Sequence, residues 1–214
     1  MTNGAAGTLE AGLQEPWPTR ALQREGVGVG MWIFLASEVL FFSGLLITYA
    51  VYRSLYAEAF RVAAARTDIV YGAINTMILL TSSLTMTVAL RAATAQLRQL
   101  AIGCLIATAA LGLAFLAVKG LEYYGDYTKG LILGAHFALA PPETQLFWML
   151  YWVMTGVHAI HLTAGILIVL TIAILFERRI VPLQASTTEG VAIYWHFVDC
   201  VWLVLFPLLY LVGR

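Results

Sequence analysis

Five long apolar runs alternate with short polar segments along the chain. The runs cover residues 26–52, 69–90, 99–120, 144–176 and 190–212, and most of their length is free of Lys and Arg. A helix that crosses the hydrocarbon core of a bilayer needs about 20 apolar residues, so each run is long enough. Runs of this size lack the alternation of strands, and lipid admits only helices or closed barrels. The pattern therefore predicts an all-α fold, an integral membrane bundle of five transmembrane helices.

The segments between the runs predict how the helices begin and connect. Residues 1–25 hold charges, Pro and Gly but no apolar core of the kind a signal peptide has, so we interpret them as an arm at the membrane surface. The connection "RAATAQLR" is so short that the second and third helices should be antiparallel neighbours. The fifth run opens with Ser186-x-x-Glu189, a capping-box pattern, and contains Pro207, which should kink the helix.

Composition supports the membrane assignment and leaves the orientation open. The chain is 61% hydrophobic and 11% charged, outside the usual range of soluble globular proteins, and twelve Lys plus Arg balance twelve Asp plus Glu. The chain has no net charge, so its charge gives no indication of a nucleic-acid partner. With the N-terminus inside, six basic residues fall on the inner side (Arg20, Arg24, Arg91, Arg98, Arg178, Arg179) and six on the outer side (Arg53, Arg61, Arg66, Lys119, Lys129, Arg214). Cys104 and Cys200 lie in apolar runs without a CxxC pattern, which argues against a disulfide, zinc or covalent haem.

Glu38 is a carboxylate near the middle of the first run, in "MWIFLASEVLFF". A charged side chain at the bilayer centre costs about 3 kcal/mol on insertion scales, so such residues usually face the bundle interior and often mark a proton or ligand pathway. The alternative is a neutral carboxylic acid that hydrogen-bonds a neighbouring helix and has only a structural role.

Histidines are the other residues that could carry chemistry. His158 and His161 are three residues apart in "TGVHAIHLTAG", on one face of the fourth helix, and His136 and His196 lie elsewhere. Haem or metal would need further ligands on facing helices, and this face has no Glu partner at helical spacing on its own run. Buried imidazoles that bond to other helices or to lipid headgroups are therefore favoured over a metal centre.

Further polar pairs and clusters lie in or next to the apolar runs. Lys119 and Glu122, three residues apart, are predicted as an ion pair at the membrane interface that contributes only a few tenths of a kcal/mol. His196 and Asp199 have the same spacing and are interpreted as a buried structural pair, with a proton relay as the alternative. The second run is rich in Asn, Ser and Thr, which favour close helix contacts, so this helix should be buried in protein.

Five motifs, each on its own predicted helix, resemble subunit III of the haem-copper respiratory oxidases. In order they are "GMWIFLASEVLFFSGLLITY", "INTMILLTSSLTMT", "FLAVKGLEY", "MTGVHAIHLTAGI" and "YWHFVDCVWLVLFPLLYL". Together they cover nearly all of residues 28–214. One such motif is weak, but five in the family's order form a specific signal.

The resemblance implies a non-catalytic subunit of a proton-pumping cytochrome c oxidase. It implies that this chain binds no haem or copper, which partner subunits hold, and that it packs against catalytic subunit I. It places Glu38 near structural phospholipids in a cleft, where the subunit supports proton uptake by its neighbour. It also implies that five residues hold the bundle or line its lipid-facing surfaces: His158, His161, Glu189, His196 and Asp199. Arg178 and Arg179 correspond to basic residues that reach lipid phosphate. The implied location is the bacterial plasma membrane with a cytoplasmic N-terminus.

The chain departs from the longer form of the family. That form has seven spans, and the pair missing here is at the N-terminus, so another subunit must supply one wall of the cleft or the cleft stays open. Lys119 stands where many relatives have glutamine, and residues 127–144 look like an insertion. Three alternatives remain: the equivalent subunit of a quinol oxidase or nitric-oxide-reductase-associated complex, a haem or metal membrane enzyme, and a proton-coupled transporter that uses Glu38.

Overall fold

The computed structural model describes residues 20–132, 134, 137–139, 142–183 and 185–211 of the 214-residue chain. These residues form helices α1 Arg20–Leu55, α2 Ala57–Ala64, α3 Ile69–Thr94, α4 Arg98–Thr128, α5 Thr144–Glu177 and α6 Ala185–Phe206, and a π-helical turn Pro207–Leu211. Five stretches of the described residues are long and apolar enough to cross a membrane: Gly28–Leu55, Ile69–Thr94, Arg98–Thr128, Thr144–Glu177 and Thr187–Leu211. The predicted all-α bundle of five membrane-spanning helices is confirmed.

The helix ends differ from the predicted limits of the runs. The first helix begins at Arg20, inside the predicted arm, of which residues 1–19 lie outside the described residues. The fourth helix continues to Thr128, beyond the predicted end near residue 120. The sixth begins at Ala185, and the side chain of Ser186 is outside the described part, so the capping box stays a prediction.

Pro207 changes the helical geometry at the place where a kink was predicted. The α-helical pattern ends at Phe206, and Pro207–Leu211 form a π-helical turn. Because proline has no N–H, it cannot make the ordinary helical hydrogen bond, and the chain widens to the π pattern. Two side chains from elsewhere in the chain hold this turn: the Tyr49 hydroxyl on α1 donates to the Leu208 carbonyl at 2.7 Å, and the Thr67 hydroxyl, in the connection between α2 and α3, donates to the Leu209 carbonyl at 3.4 Å.

The described residues divide into two compact units, one that ends at Leu40 and one that begins at Phe41. Within the second unit, α3 and α4 form the predicted antiparallel hairpin. Its turn spans residues 95–97, where Gln96 has a φ of 57° and the Leu97 amide donates to the Ala92 carbonyl at 2.9 Å. Further along the hairpin, the hydroxyls of Thr85 and Thr108 are 2.8 Å apart.

Glycines allow the helices of the second unit to pack closely. A Cβ added to Gly112 on α4 would lie 2.9 Å from both Ile166 Cγ1 and Trp195 Cη2, closer than side chains normally approach. Gly103 on the same helix has no such neighbour within 4 Å. Small residues at helix contacts are typical of membrane bundles, because association there depends on close packing.

Only one face of α3 is buried within this chain, so the prediction that the second run is buried in protein is met on that face and stays a prediction for the other. Asn75 and Ser82 are fully buried, whereas Met77 and Leu84 are 65% and 63% exposed. Ser82, Ser83 and Thr85 hydrogen-bond residues of α6 or α4, and large apolar residues cover much of the other side. That apolar face suits lipid or a partner subunit.

Candidate functional site

A fully buried ion pair lies where α4, α5 and the π-helical turn meet. Lys119 Nζ donates to Glu122 Oε2 at 2.9 Å, and both side chains are 2% exposed. Lys119 also donates to the hydroxyl oxygen of Tyr151 at 2.9 Å and to that of Tyr210 at 2.6 Å. The same two hydroxyls lie 2.9 Å and 2.6 Å from Glu122 Oε1. Each tyrosine hydroxyl therefore contacts both ions of the pair.

A second carboxylate, Asp126, lies one helical turn beyond Glu122. Asp126 is 2% exposed, and its Oδ2 is 3.2 Å from the Tyr151 hydroxyl. Aromatic rings surround the ammonium group: Lys119 Nζ lies 4.6 to 5.6 Å from the ring centroids of Tyr123, Tyr151, Trp202 and Tyr210. Such distances permit cation–π attraction, which strengthens when the cation is desolvated. The positive charge is thus held by one carboxylate, two hydroxyls and four rings.

The predicted pair of Lys119 and Glu122 is formed, and it is buried in the protein; its position at the membrane interface stays a prediction. Because α4 continues to Thr128, the pair lies within a packed helix and not at its end. The small energy of an exposed pair therefore does not apply, because burial adds a desolvation cost for both ions and strengthens their mutual attraction. Asp126, Tyr151 and Tyr210 were missed. Asp126 could have been predicted from the spacing Lys119-x-x-Glu122-x-x-x-Asp126, which places three charged residues on one helical face.

His158 is buried in an aromatic environment. It is 1% exposed, and its ring centroid lies 5.3 Å from that of Trp202 and 5.6 Å from that of Phe115. Neither ring nitrogen has a hydrogen-bond partner among the described residues. The expectation that this imidazole bonds to another helix is thus not met within the described chain, although its buried position is as predicted.

His161, one turn further along α5, contacts different neighbours from His158. Its Nδ1 is 2.9 Å from the Val157 carbonyl of its own helix, and its ring lies 5.2 Å from that of Phe42 on α1. The Tyr194 hydroxyl on α6 donates to the His161 backbone carbonyl at 3.0 Å. The two histidines therefore pack against different helices, and their side chains do not form a common binding face.

His196 and Asp199 both approach Ser83 on α3. The Ser83 hydroxyl is 2.8 Å from His196 Nδ1, and the Thr87 hydroxyl is 3.5 Å from Nε2. Asp199 is 5% exposed and neighbours Ser83, but neither carboxylate oxygen meets the geometry of a hydrogen bond with a described residue. The predicted direct pair of His196 and Asp199 is thus not formed; Ser83 lies between them in the contact network.

The remaining predicted residues are mostly exposed. Glu38 is partly exposed within the first span, and Glu189 on α6 is exposed. Arg178 and Arg179 follow the end of α5 and are exposed; Arg179 has a φ of 55°. His136 lies outside the described residues, and in the part of the chain that the structure describes no three His, Cys, Asp or Glu side chains are grouped as metal ligands. The roles predicted for Glu38 and for these basic residues stay predictions.

Comparison with known proteins gives matches along nearly the whole chain. The family model described as cytochrome c oxidase subunit III matches residues 15–214. A cytochrome c oxidase subunit 3 from Thermostichus vulcanus is 35% identical over 192 residues, which cover 87% of each chain. A quinol oxidase subunit 3 from Bacillus spizizenii is 31% identical over 193 residues, which cover 86% of each chain. A heme-copper oxidase subunit I+III from Aeropyrum pernix is 31% identical over 208 residues, which cover 94% of this chain but only 24% of that relative.

Proposed function

The chain belongs to the cytochrome c oxidase subunit III family, and from this membership we propose that it packs against catalytic subunit I of a haem-copper oxidase as a non-catalytic subunit. The observation that carries the proposal is the relative whose name joins subunits I and III. There the region similar to this chain is part of one polypeptide with subunit I, which supports the same pairing between separate chains here. The exposed apolar face of α3, with Met77 and Leu84, offers surface for such a partner or for lipid.

The haem and copper of the complex belong to the partner subunits under this proposal. Two of the histidines of this chain have hydrogen bonds of their own, His196 with Ser83 and His161 with the backbone of α5. The test is to purify the complex, separate this subunit with a stronger detergent, and measure iron and copper in both fractions. Both metals should stay with the remaining complex, whose haem spectrum should not change. Stoichiometric iron or copper in the separated chain would contradict the proposal.

Glu38 and the basic residues after α5 are assigned to lipid and proton roles. Glu38 lies in the membrane-spanning stretch Gly28–Leu55, where a carboxylate is costly unless it faces a polar environment. A cleft that holds structural phospholipids supplies that environment, and a protonatable group there can help keep protons available to subunit I. The exposed guanidinium groups of Arg178 and Arg179 suit binding of lipid phosphate.

Cytochrome c is the favoured electron donor of the complex, and quinol is the second candidate. The family model and the Thermostichus relative carry the cytochrome c name, while the Bacillus relative is a quinol oxidase subunit. Oxygen consumption by the purified complex, with reduced cytochrome c or with a quinol as sole donor, distinguishes them. A complex that oxidises only quinol would refute the first assignment.

The complex is proposed to lie in a bacterial plasma membrane with the N-terminus of this chain in the cytoplasm. The relatives from Thermostichus vulcanus and Bacillus spizizenii come from bacteria, and the orientation follows the topology that the family resemblance implies. An N-terminal tag should be protected from protease in intact cells and accessible in inside-out vesicles. The opposite pattern would reverse the orientation.

A further inference from the structure

The contacts of Lys119 favour its charged form. An ammonium group has three N–H donors and no acceptor, whereas a neutral amine has two donors and one lone pair. Lys119 Nζ has three acceptors at hydrogen-bond distance, Glu122 Oε2 and the hydroxyl oxygens of Tyr151 and Tyr210. A charged Lys119 supplies one donor for each of the three acceptors, and the four aromatic rings within 5.6 Å of Nζ favour this charged form. Glu122, in direct contact with this ammonium, is then its carboxylate counter-ion.

The tyrosine protons cannot satisfy every remaining contact. Each hydroxyl has one proton to donate and can also accept hydrogen bonds. Tyr210 accepts from Lys119 and donates to Glu122 Oε1 at 2.6 Å. Tyr151 also accepts from Lys119, but its oxygen faces two carboxyl groups, Glu122 Oε1 at 2.9 Å and Asp126 Oδ2 at 3.2 Å. One proton on Tyr151 serves only one of them, so the other contact needs a proton on a carboxyl group.

Charge balance leads to the same conclusion. With both Glu122 and Asp126 ionised, two buried negative charges would face the single buried positive charge of Lys119. A buried net charge is strongly unfavourable, and two carboxylates that share a site cannot both ionise freely. The positive charge of Lys129 also attracts a charge on Asp126, but the Lys129 side chain is exposed, so solvent and salt screen this attraction. His158 is 1% exposed and neither of its ring nitrogens has a hydrogen-bond partner among the described residues, so a second buried positive charge there is unfavourable.

We propose that Asp126 is a buried proton-binding site, distinct from Glu38, in which Asp126 Oδ2 carries a proton and donates it to the Tyr151 hydroxyl while Glu122 stays ionised beside Lys119. Every donor and acceptor contact of the cluster is then satisfied, and the cluster is electrically neutral. The arrangement is also a short relay. If Tyr151 takes the proton of Asp126 while it gives its own proton to Glu122, one O–H bond forms for each one that breaks, and one proton has moved from Asp126 to Glu122.

Infrared spectroscopy of the full chain tests this site, with the protein purified in mild detergent together with the subunits that accompany it. A protonated carboxyl group has a C=O band that shifts when its proton is replaced by deuterium. The difference spectrum between wild type and Asp126→Asn should contain one such band. The matched control is Asp68→Asn: the partly exposed side chain of Asp68 accepts the Val70 amide at the start of α3, outside the buried cluster, so its removal should give no such band. Absence of the band for Asp126→Asn would overturn the proposal.

Thermal unfolding of the same samples determines which carboxyl group holds the proton. If Asp126 is neutral, Asp126→Asn replaces a neutral group by one of similar shape, and the protein should assemble with an unfolding temperature close to that of wild type. Glu122→Gln removes the counter-ion of Lys119 and should lower the unfolding temperature clearly, and it should also abolish the carboxyl band because Asp126 ionises in its place. A stable Glu122→Gln variant beside an Asp126→Asn variant that is unstable or fails to assemble would assign the proton to Glu122 and contradict the proposal.

Discussion

Replacing Glu122 with Gln should destabilise the folded chain by about 3–5 kcal/mol, the range measured when one partner of a buried ion pair is removed. Glutamine keeps the size of the side chain and an oxygen acceptor but removes the negative charge. The Lys119 ammonium would then remain buried, 2% exposed, without the carboxylate that lies 2.9 Å away in the wild type. Because ionisation of Asp126 can restore part of the balance through Tyr151, we expect a value near the lower end of the range.

Thermal unfolding in mild detergent, followed by circular dichroism, measures this effect. For a chain of about this size, 1 kcal/mol corresponds to a change of roughly 2–4 °C in unfolding temperature, so a loss of about 3 kcal/mol predicts a decrease of roughly 6–12 °C. Adding Lys119→Met to Glu122→Gln should recover part of this loss, because removal of both ions leaves no unpaired charge. No recovery in the double variant would count against an ion-pair origin of the effect.

The chain offers a matched control in Glu58 and Arg61 on α2. These residues have the same spacing of three and an N···O distance of 2.6 Å, but their side chains are 71% and 63% exposed. The hydrogen bond from Arg61 holds the pKa of Glu58 below its usual value. Exposed pairs contribute little to stability, so Glu58→Gln should leave the unfolding temperature within experimental error. If Glu122→Gln lowers it no more than Glu58→Gln does, the reasoning about the buried cluster is refuted.

Three further predictions address packing, a helix-to-helix hydrogen bond and turnover. Gly112→Ala should destabilise the bundle by about 1–3 kcal/mol through overpacking, whereas Gly103→Ala on the same helix should be neutral or stabilising; equal unfolding temperatures would contradict this. Ser83→Ala removes the hydrogen bond to His196 and should cost about 1 kcal/mol in the same assay, and an unchanged unfolding temperature would mean that the contact contributes nothing. Glu38→Gln should preserve assembly and initial oxygen consumption but lose activity faster in prolonged turnover at alkaline pH, with Glu38→Leu more severely affected; wild-type behaviour of both variants would remove any functional role for Glu38.

The fold could be predicted from the sequence because lipid imposes one strong constraint. A chain that crosses a bilayer must satisfy its backbone hydrogen bonds internally, so long apolar runs become helices almost regardless of their neighbours. The hairpin of α3 and α4 followed from the length of one connection. Helix ends were less accurate. The third apolar run was predicted to end at residue 120, whereas α4 continues to Thr128 and includes Glu122 and Asp126, because a hydropathy pattern assigns charged residues to the connections between helices.

The buried cluster could be predicted only in part, because its partners are distant in sequence. The spacing of Lys119 and Glu122 indicates a pair, but it does not reveal that Tyr151 and Tyr210 come from other elements to bond both ions. The direct pair predicted for His196 and Asp199 failed for the same reason, since Ser83 from another helix bonds His196. Local spacing predicts which side chains share a helical face, whereas tertiary packing determines which of them meet.

The most direct test of the proposed role is the composition of the complex that this chain forms. The full chain with an affinity tag would be purified from its native membrane in mild detergent, and the accompanying proteins would be identified by mass spectrometry and chemical crosslinking. The account predicts a haem-copper oxidase subunit I in equal amount, crosslinked to this chain, with the haem and copper of the sample in that partner. Purification of the chain in stable form without any haem-copper oxidase subunit would contradict it.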